Sequence, residues 1–457
     1  MKDIITQKLI ENKAVTDRIG CFFKRFKVIS LVKSVCSHKY KVSDIYEVFL
    51  FLFTLVFTHH SLYSEVKSGE SKFSKDKVYR FLESPHINWL KFTSRLSAMI
   101  INTAIAPLTS EDREKVLIID DSLFSRARSK RVELLANVFD HVRREYTKGF
   151  RMLTLGYSDG NTFIPVNGVL LSSENKKNVI NPSKFHDKRS NAYKIRRLSQ
   201  SKATEAMLTL LDEAKSAAIK AKYVLFDSWF AFPSTITNVK NKGYDVIAMV
   251  KKMTNVYYEY NGTKLNVKGI FDANKKRRGK SRYLLSVIAN MQSGETSVPV
   301  KIVYVRNRSK RKDFLCLIST DISLSEDEII RIYGKRWSIE VFFKVCKSYL
   351  KLGKECRSLS FDSMTAHTAV VFTRYMMLAL EKRESEDPRS LGELFMCCTE
   401  ELKDITFIDA VTILMECFGK ALDECFDISE KDINKLFEKF VSKLPDDLKS
   451  TIGLSAA

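Results

Sequence analysis

Between Val116 and Val250 the hydrophobic period switches from two to 3.6 and back, and this alternation constrains the fold more than any other feature of the chain. Short β-like runs come first: VLIID (116–120), FRMLTLGYS (150–158) and TFIPVNGVLLS (162–172). The last two flank Asp159-Gly160, a turn signal that predicts a hairpin. A helical stretch over 202–221 then leads into YVLFD (223–227), a helix after Pro233 and the strand YDVIAMV (244–250). A strand, helix, strand crossover joins parallel neighbours. The segment therefore predicts a mixed sheet, antiparallel at first and parallel later, with helices on its faces.

The flanking segments differ in kind. At 457 residues the chain is too long for one core. Residues 1–110 carry helical spacing over Ile4–Ile10, Val15–Val35, a run capped by Ser43 or Asp44 and reaching Phe57, Ser74–Leu82 and Ile87–Ile105, which predicts an all-helical lobe. Within it, SKFSKDKVYRFLE has the character of a short basic DNA-binding helix and equally of a plain bundle helix. Residues 251–319 read as strands at Val256–Tyr260, Arg282–Ala289, Val298–Val305 and Phe314–Ser319, an inserted β subdomain in place of the next crossover helix. Glu326–Leu350 is strongly helical, and the remainder is helical with acidic surfaces. The most apolar stretch, Ile45–Phe57, is shorter than the minimum of about 17 residues for a membrane span and reads as a core helix. The start MKDIITQKL lacks the pattern of a secretion signal, so no export is expected.

Charge narrows the partner class. Lys plus Arg number 76 against 54 Asp plus Glu, a net +22 that attracts polyanions, with nucleic acid foremost. The excess is uneven: residues 1–110 hold 17 basic and 9 acidic side chains, 251–319 hold 16 and 4, and 381–457 reverse the sign with 10 and 18. Two runs are dense, Lys275, Lys276, Arg277, Arg278, Lys280 and Arg282, then Arg306, Arg308, Lys310, Arg311 and Lys312. On hairpin tips they would follow a phosphate backbone, giving affinity without sequence choice. The nine cysteines show no two-residue gap of a zinc clip or redox motif, which suits a reducing cytoplasm. Nothing matches a Gly-rich phosphate loop, so nucleotide hydrolysis is not indicated.

Three acids stand out. VLII ends at Asp120, with Asp121 beside it, and VLF ends at Asp227. Carboxyl ends of parallel strands border the ligand crevice, although a strand-end Asp is also a common turn former. The third lies on RIYGKRWSIEVFFKVCKSYL, where about 100° per residue places Tyr333, Arg336, Glu340, Lys344 and Lys347 in roughly an 80° arc. Ile332, Ile339, Phe342, Phe343, Cys346 and Leu350 gather on another side. An amphipathic helix with Glu–Lys pairs explains part of this stripe, but not its Tyr and Arg.

Tyr333, two residues, Arg336, three residues, Glu340, six residues, Lys347 resembles the Y-R-E-K signature of bacterial insertion-sequence transposases with a D-D-E catalytic core. IIDDSLF and VLFDSWF resemble that family's first and second Asp blocks, and the likeness covers about residues 110–380. It implies an α/β, RNase H-like mixed sheet flanked by helices: a helical DNA-binding region (1–110), the catalytic core (111–250 and 320–380), a basic β-rich insertion (251–319) and an acidic helical C-terminal region (381–457). It also implies cut-and-paste transposition, with Mg²⁺-dependent phosphodiester hydrolysis and strand transfer at Asp120, Asp227 and Glu340. Two Mg²⁺ ions, with Mn²⁺ as a substitute, would neutralise the attacking and leaving oxygens, and carboxylates suit such hard cations. The family's Asp block, with a small or polar residue before Ser or Thr, favours Asp120 over Asp121 as the first acid.

By the same resemblance Tyr333, Arg336 and Lys347 contact phosphates and Trp337 stacks on an unpaired base. Lys344 joins them from its place on the stripe alone, and Lys275, Lys276, Arg277 and Arg278 from their charge. The expected partners are double-stranded DNA, both element ends and target, and a second copy of the chain gripped through the acidic tail. No membrane is expected, and the expected location is the bacterial cytoplasm, on the nucleoid. One departure concerns the hairpin route: residues 251–319 contain no Trp, leaving Tyr257, Tyr258 or Tyr260 as substitutes for base stacking. Trp229 is expected to pack beneath the site, and His141 and His186 carry no assigned role. The rival readings are a catalytically idle, transposase-derived DNA-binding protein and a structure-selective nuclease with the same core.

Overall fold

A computed structural model describes residues 17–38, 41–57, 74–140, 143–277, 281–307 and 313–384, together with 390, 391, 439 and 443. The expected helix Ile4–Ile10, nearly all of the acidic tail, His141, Arg278, Lys280, Arg308, Lys310, Arg311 and Lys312 lie outside the described residues.

The N-terminal lobe comprises α1 (Asp17–Arg25), α2 (Val28–Ser34), α3 (Val42–Thr54), α4 (Lys75–Leu82) and α5 (Trp89–Ile100). The single helix expected over Val15–Val35 is broken at Lys27, whose φ of 47° is left-handed and cannot continue a right-handed helix. Capping also differs from expectation, since α3 starts after Lys41 rather than at Ser43 or Asp44. Ser74 caps α4 by accepting from the Lys77 N–H at 3.3 Å, and Asn88 caps α5 by accepting from that of Lys91 at 3.0 Å. Phe23, Phe49, Phe53, Trp89 and Phe92 form the lobe's aromatic core. Ile45, Val48, Phe49, Phe53 and Phe57 are buried in protein, and among the described residues no helix is long and apolar enough to cross a membrane.

The core sheet begins with β1 (Val116–Ser125), β2 (Ala136–Asp140), β3 (Glu145–Ser158) and β4 (Phe163–Leu171). The expected hairpin joins β3 to β4: Asp159 accepts from the Asn161 and Thr162 N–H groups, and Gly160 takes the positive φ of 96° that the turn requires. After α6 (Asn191–Ser199) and α7 (Ala203–Ser216), β5 (Tyr223–Phe226), α8 (Pro233–Asn241) and β6 (Asp245–Met249) supply the crossover. β5 pairs parallel with both β1 and β6, while β1 pairs antiparallel with β3. The alternation of period thus yields the mixed RNase H-like sheet.

Beyond β6 lie β7 (Tyr258–Tyr260), β8 (Thr263–Leu265), α9 (Val267–Ala273), β9 (Tyr283–Ser293), β10 (Thr296–Arg306) and β11 (Phe314–Ser319). These strands do not form a sheet of their own. β11 pairs antiparallel with β6, so one eleven-stranded sheet runs in the order β2-β3-β1-β5-β6-β11-β10-β9-β7-β8, with β4 on β3. Two eleven-residue strands of largely alternating burial, β9 and β10, continue the pairing.

α10 (Glu326–Gly334) and α11 (Trp337–Ser348) replace the single helix expected over Glu326–Leu350. Between them Lys335 and Arg336 bond three residues back rather than four, as do Ser338 and Ile339. Gly334, a poor helix former, sits at this break. α12 (Phe361–Glu384) closes the fold, buried along nearly all of Phe361–Leu380. Its Arg374, fully buried, pairs with Glu355 and donates to the Leu52 and Phe53 carbonyls of α3. That contact ties the helical lobe to the core.

Candidate active site

Ile119 on β1 is paired with Phe226 on β5, and pairing between these strands stops there. Asp120 and Asp227 are the next residues on each strand, so adjoining parallel strands deliver two carboxylates to one place. β1 itself continues to Ser125 because β3 accompanies it from Val116↔Ser158 to Ser125↔Gly149. The first acid therefore lies within a strand, at the point where its parallel partner turns away.

Side chains alternate along β1, so Asp120 and Asp121 face opposite sides. Asp120 faces α11: its Oδ2 accepts from Arg336 Nη1 at 2.7 Å. Ser122, on the same face, accepts from Lys347 Nζ at 2.6 Å. Asp121 turns the other way, into an ion pair with Arg151. The geometry thus separates the two neighbouring acids and joins Asp120 to the helix that carries Glu340.

Arg336 is the centre of this cluster. Its Nη1 and Nη2 both lie 3.4 Å from Glu340 Oε1 while Nη1 holds Asp120. Burial opposes its charge, yet Tyr333, Asp120, Glu340 and Asp227 around it hold its guanidinium above the ordinary value. Burial pushes the Asp120 carboxyl up to about 7; Arg336 opposes the rise and Asp227 adds to it. The Tyr333 hydroxyl, buried beside Arg336, Asp227 and Asp120, is pushed up to about 12 and stays protonated. Lys347 is lowered by burial, an effect Asp140 and Glu340 oppose.

Tyr333, Arg336 and Glu340 therefore gather at the two aspartates, with Lys347 two residues along β1 at Ser122, although Tyr333 belongs to α10 and Arg336 to the turn before α11. The break leaves these side chains on a common side because Arg336 keeps helical φ and ψ of −54° and −31°. Trp337, 66 % exposed, points to solvent. Lys344, also exposed, goes elsewhere: with Ser338, Val341, Val345 and Tyr349 it lines a separate opening of about 920 Å³ beside Arg113, Lys382 and Arg383.

Further expectations are corrected here. Trp229 does not pack beneath the site but is 42 % exposed, its ring 4.0 Å from Lys251 Nζ and 5.3 Å from the Arg151 guanidinium. The Trp229 backbone N–H donates to Asp227 Oδ1 at 2.8 Å, forming the tight turn that follows β5. The exchange of packing for cations follows from the chain turning outward directly after Asp227. Of the three tyrosines offered for base stacking, Tyr258 is buried and the Tyr260 hydroxyl donates to Asn274, which leaves Tyr257 exposed. Lys275, Lys276 and Arg277 follow α9 rather than a hairpin tip. Lys276 lies over Phe271 and Arg277 over Tyr283, and neither they nor Lys275 hydrogen-bond or ion-pair with the three acids.

Arg151 and Lys251, the two cations flanking Trp229, are not among the residues expected from sequence. Their signal is position: Arg151 is the cation of the FRMLTLGYS run and pairs opposite Leu123, two residues beyond Asp121, and Lys251 directly follows the last residues of the YDVIAMV run. His186, whose imidazole is lowered by burial, sits by Glu133, Asp362 and Arg196, away from the acids. Arg196 there is buried against Glu133 and Asp362, an ion cluster that joins α6, the segment before β2 and α12.

The donor chemistry fits a hard divalent cation, since β1 and β5 bring two carboxylates, hard oxygen donors, to adjoining strand ends. The three-acid set is not assembled: among the described residues no three His, Cys, Asp or Glu side chains stand close enough to share an ion. The Arg336 guanidinium lies between Asp120 and Glu340 instead.

The family model described as DDE superfamily endonuclease matches residues 55–312, more than half of the chain. That span includes Asp120 and Asp227 and ends before Glu340. No curated protein matches the chain.

Proposed function

The chain belongs to the DDE superfamily of endonucleases, and from that premise we propose that it is a DNA transposase that cuts at element ends and transfers the freed strand to target DNA. The observation that carries this reading is the delivery of Asp120 and Asp227 to one place by β1 and β5, with Tyr333, Arg336, Glu340 and Lys347 of the Y-R-E-K spacing around them. A nuclease that only cut would need the acids; the spacing of the basic and aromatic residues supports the finer reading.

Asp120 and Asp227 would hold the divalent ion, with Glu340 added once Arg336 leaves it. Bound there, Mg²⁺ or Mn²⁺ supplies charge neutralisation at the attacking and leaving oxygens of a phosphodiester. The chain's own residues do the rest. Lys347, half-buried and held by Ser122, presents a fixed cation to a phosphate. Tyr333 keeps its proton and so offers a donor rather than a negative charge. Trp337 stands exposed beside the cluster, where an unpaired base would stack. Lys251 and Arg151 add positive charge along the same rim through Trp229.

Because both element ends must be brought together, a homodimer on DNA is part of the proposal, with the acidic C-terminal region as its contact. The test is cleavage in vitro, with Mg²⁺, of the DNA flanking the gene. Nicks at the ends of inverted repeats followed by joining to a second duplex support transposition. Cutting directed by branches or flaps, without joining, favours a structure-selective nuclease, and binding without any cutting favours an idle DNA-binding protein.

A further inference from the structure

Both carboxylate oxygens of Asp120 are engaged. Oδ1 accepts from the Asp121 N–H at 2.8 Å, and Oδ2 accepts from Arg336 at 2.7 Å. An ion ligated through Oδ2 of Asp120 therefore competes with Arg336 for that oxygen. The second tether of Arg336 is weak: Glu340 is 43 % exposed, and the contacts of 3.4 Å are long for a charged hydrogen bond. The backbone of Arg336 lies in the turn between α10 and α11, next to the exposed Trp337, while its side chain is only 15 % exposed, so a strand lying over Trp337 would have to draw the guanidinium out of the cluster. A phosphodiester is as good a partner for a guanidinium as a carboxylate is.

We propose that Arg336 is a displaceable occupant of the acid cluster, so that DNA binding and divalent-ion binding are coupled through its movement from Asp120 to a backbone phosphate. The inference rests on Asp120 and Asp227 being the ion ligands, as proposed above. Without DNA the guanidinium substitutes for the ion and keeps the cluster closed to it. When a phosphate draws Arg336 away, Oδ2 of Asp120 and the Glu340 carboxylate are released together. By linkage the ion must then raise the affinity for DNA by the same factor that DNA raises the affinity for the ion. Such a device would restrict phosphodiester chemistry to the bound complex.

The test is Mn²⁺ binding to the full-length chain, followed by the electron paramagnetic resonance of the free ion, with and without a mixed-sequence duplex at low salt and with duplex alone as the blank. The wild type is expected to bind Mn²⁺ about tenfold more tightly when the duplex is present. Arg336→Gln should bind it at the tighter level without DNA and gain little from the duplex. Removing a cation raises ion affinity by charge alone, so Arg336→Lys is the deciding variant: it keeps the charge, but its ammonium cannot span Asp120 and Glu340. It should also bind Mn²⁺ more tightly than the wild type without DNA, and it carries the test if the Gln variant fails to fold.

A Lys variant equal to the wild type would reduce the effect to charge repulsion and overturn the proposal, as would an Arg336→Gln variant that folds and binds no more tightly. Asp227→Asn separates the two levels of the argument. Loss of Mn²⁺ binding supports the ligand assignment whatever Arg336 does. Undiminished binding overturns that assignment, and the coupling with it.

Discussion

Asp120 and Asp227 each stand one residue beyond Ile119 and Phe226, the last paired positions of adjoining parallel strands. Two carboxylates are thereby held together by backbone register, with Arg336 as the first compensating charge. Burial there disfavours ionisation and pushes Asp120 up to about 7, a rise that Arg336 opposes and the neighbouring Asp227 adds to. This relation has a cost in stability that is measurable.

A carboxyl held above its unfolded value of about 4 binds its proton more tightly in the folded chain. Its contribution favours folding at pH 4 and is lost as pH rises toward 7. In metal-free buffer, Asp120→Asn should match the wild type near pH 4 and exceed it by on the order of 2 kcal/mol at pH 8. Urea denaturation at both pH values checks this; a stability difference independent of pH would show that Asp120 is not perturbed.

Lys347→Ala should weaken DNA binding at every sequence and make the slope of log affinity against log salt shallower by about 1. Filter binding across a salt series reads both. An unchanged slope would remove Lys347 from the phosphate contacts and leave it a structural donor to Ser122.

Arg374→Met should destabilise the fold by about 3–5 kcal/mol, because buried Glu355 loses its main cation, with only His367 left beside it, and the Leu52 and Phe53 carbonyls lose their donor. Chemical denaturation measures it. A loss below about 1 kcal/mol would mean that solvent or a neighbour replaces the guanidinium.

Of the three tryptophans, Trp89 is buried while Trp229 and Trp337 are exposed. Emission from Trp337, isolated by Trp229→Phe and Trp89→Phe, should be quenched by acrylamide and protected when DNA with an unpaired end is added. Unaltered quenching on DNA binding would exclude the stacking role.

How far these features could be read in advance depended on whether the signal was local. β-branched runs, the Asp159-Gly160 turn and the spacing of Tyr333, Arg336, Glu340 and Lys347 are local, and the mixed sheet and the cluster spread over α10, the turn after it and α11 follow them. β2 was passed over because ANVFD is five residues long, with a polar residue and an acid among them, and is held by pairing with β3 rather than by its own pattern. That the inserted β subdomain continues the core sheet is not legible, because nothing in β11 announces that it will pair with β6, a tertiary choice. The break at Lys335–Arg336 was hidden because hydrophobic spacing continues across it. Trp229 was placed underneath because an aromatic after an apolar strand is usually core; the tight turn made by Asp227 turns it outward.

The most direct measurement is Mg²⁺-dependent cleavage of DNA carrying the ends that flank the gene, comparing the wild type with Asp227→Asn and with Asp120→Asn. If the carboxylates at the ends of β1 and β5 form the catalytic centre, both variants bind the duplex within about twofold of the wild type and cut it at least about a thousandfold more slowly, a barrier increase of roughly 4 kcal/mol. Cleavage by either variant at near the wild-type rate would place the chemistry elsewhere in the chain.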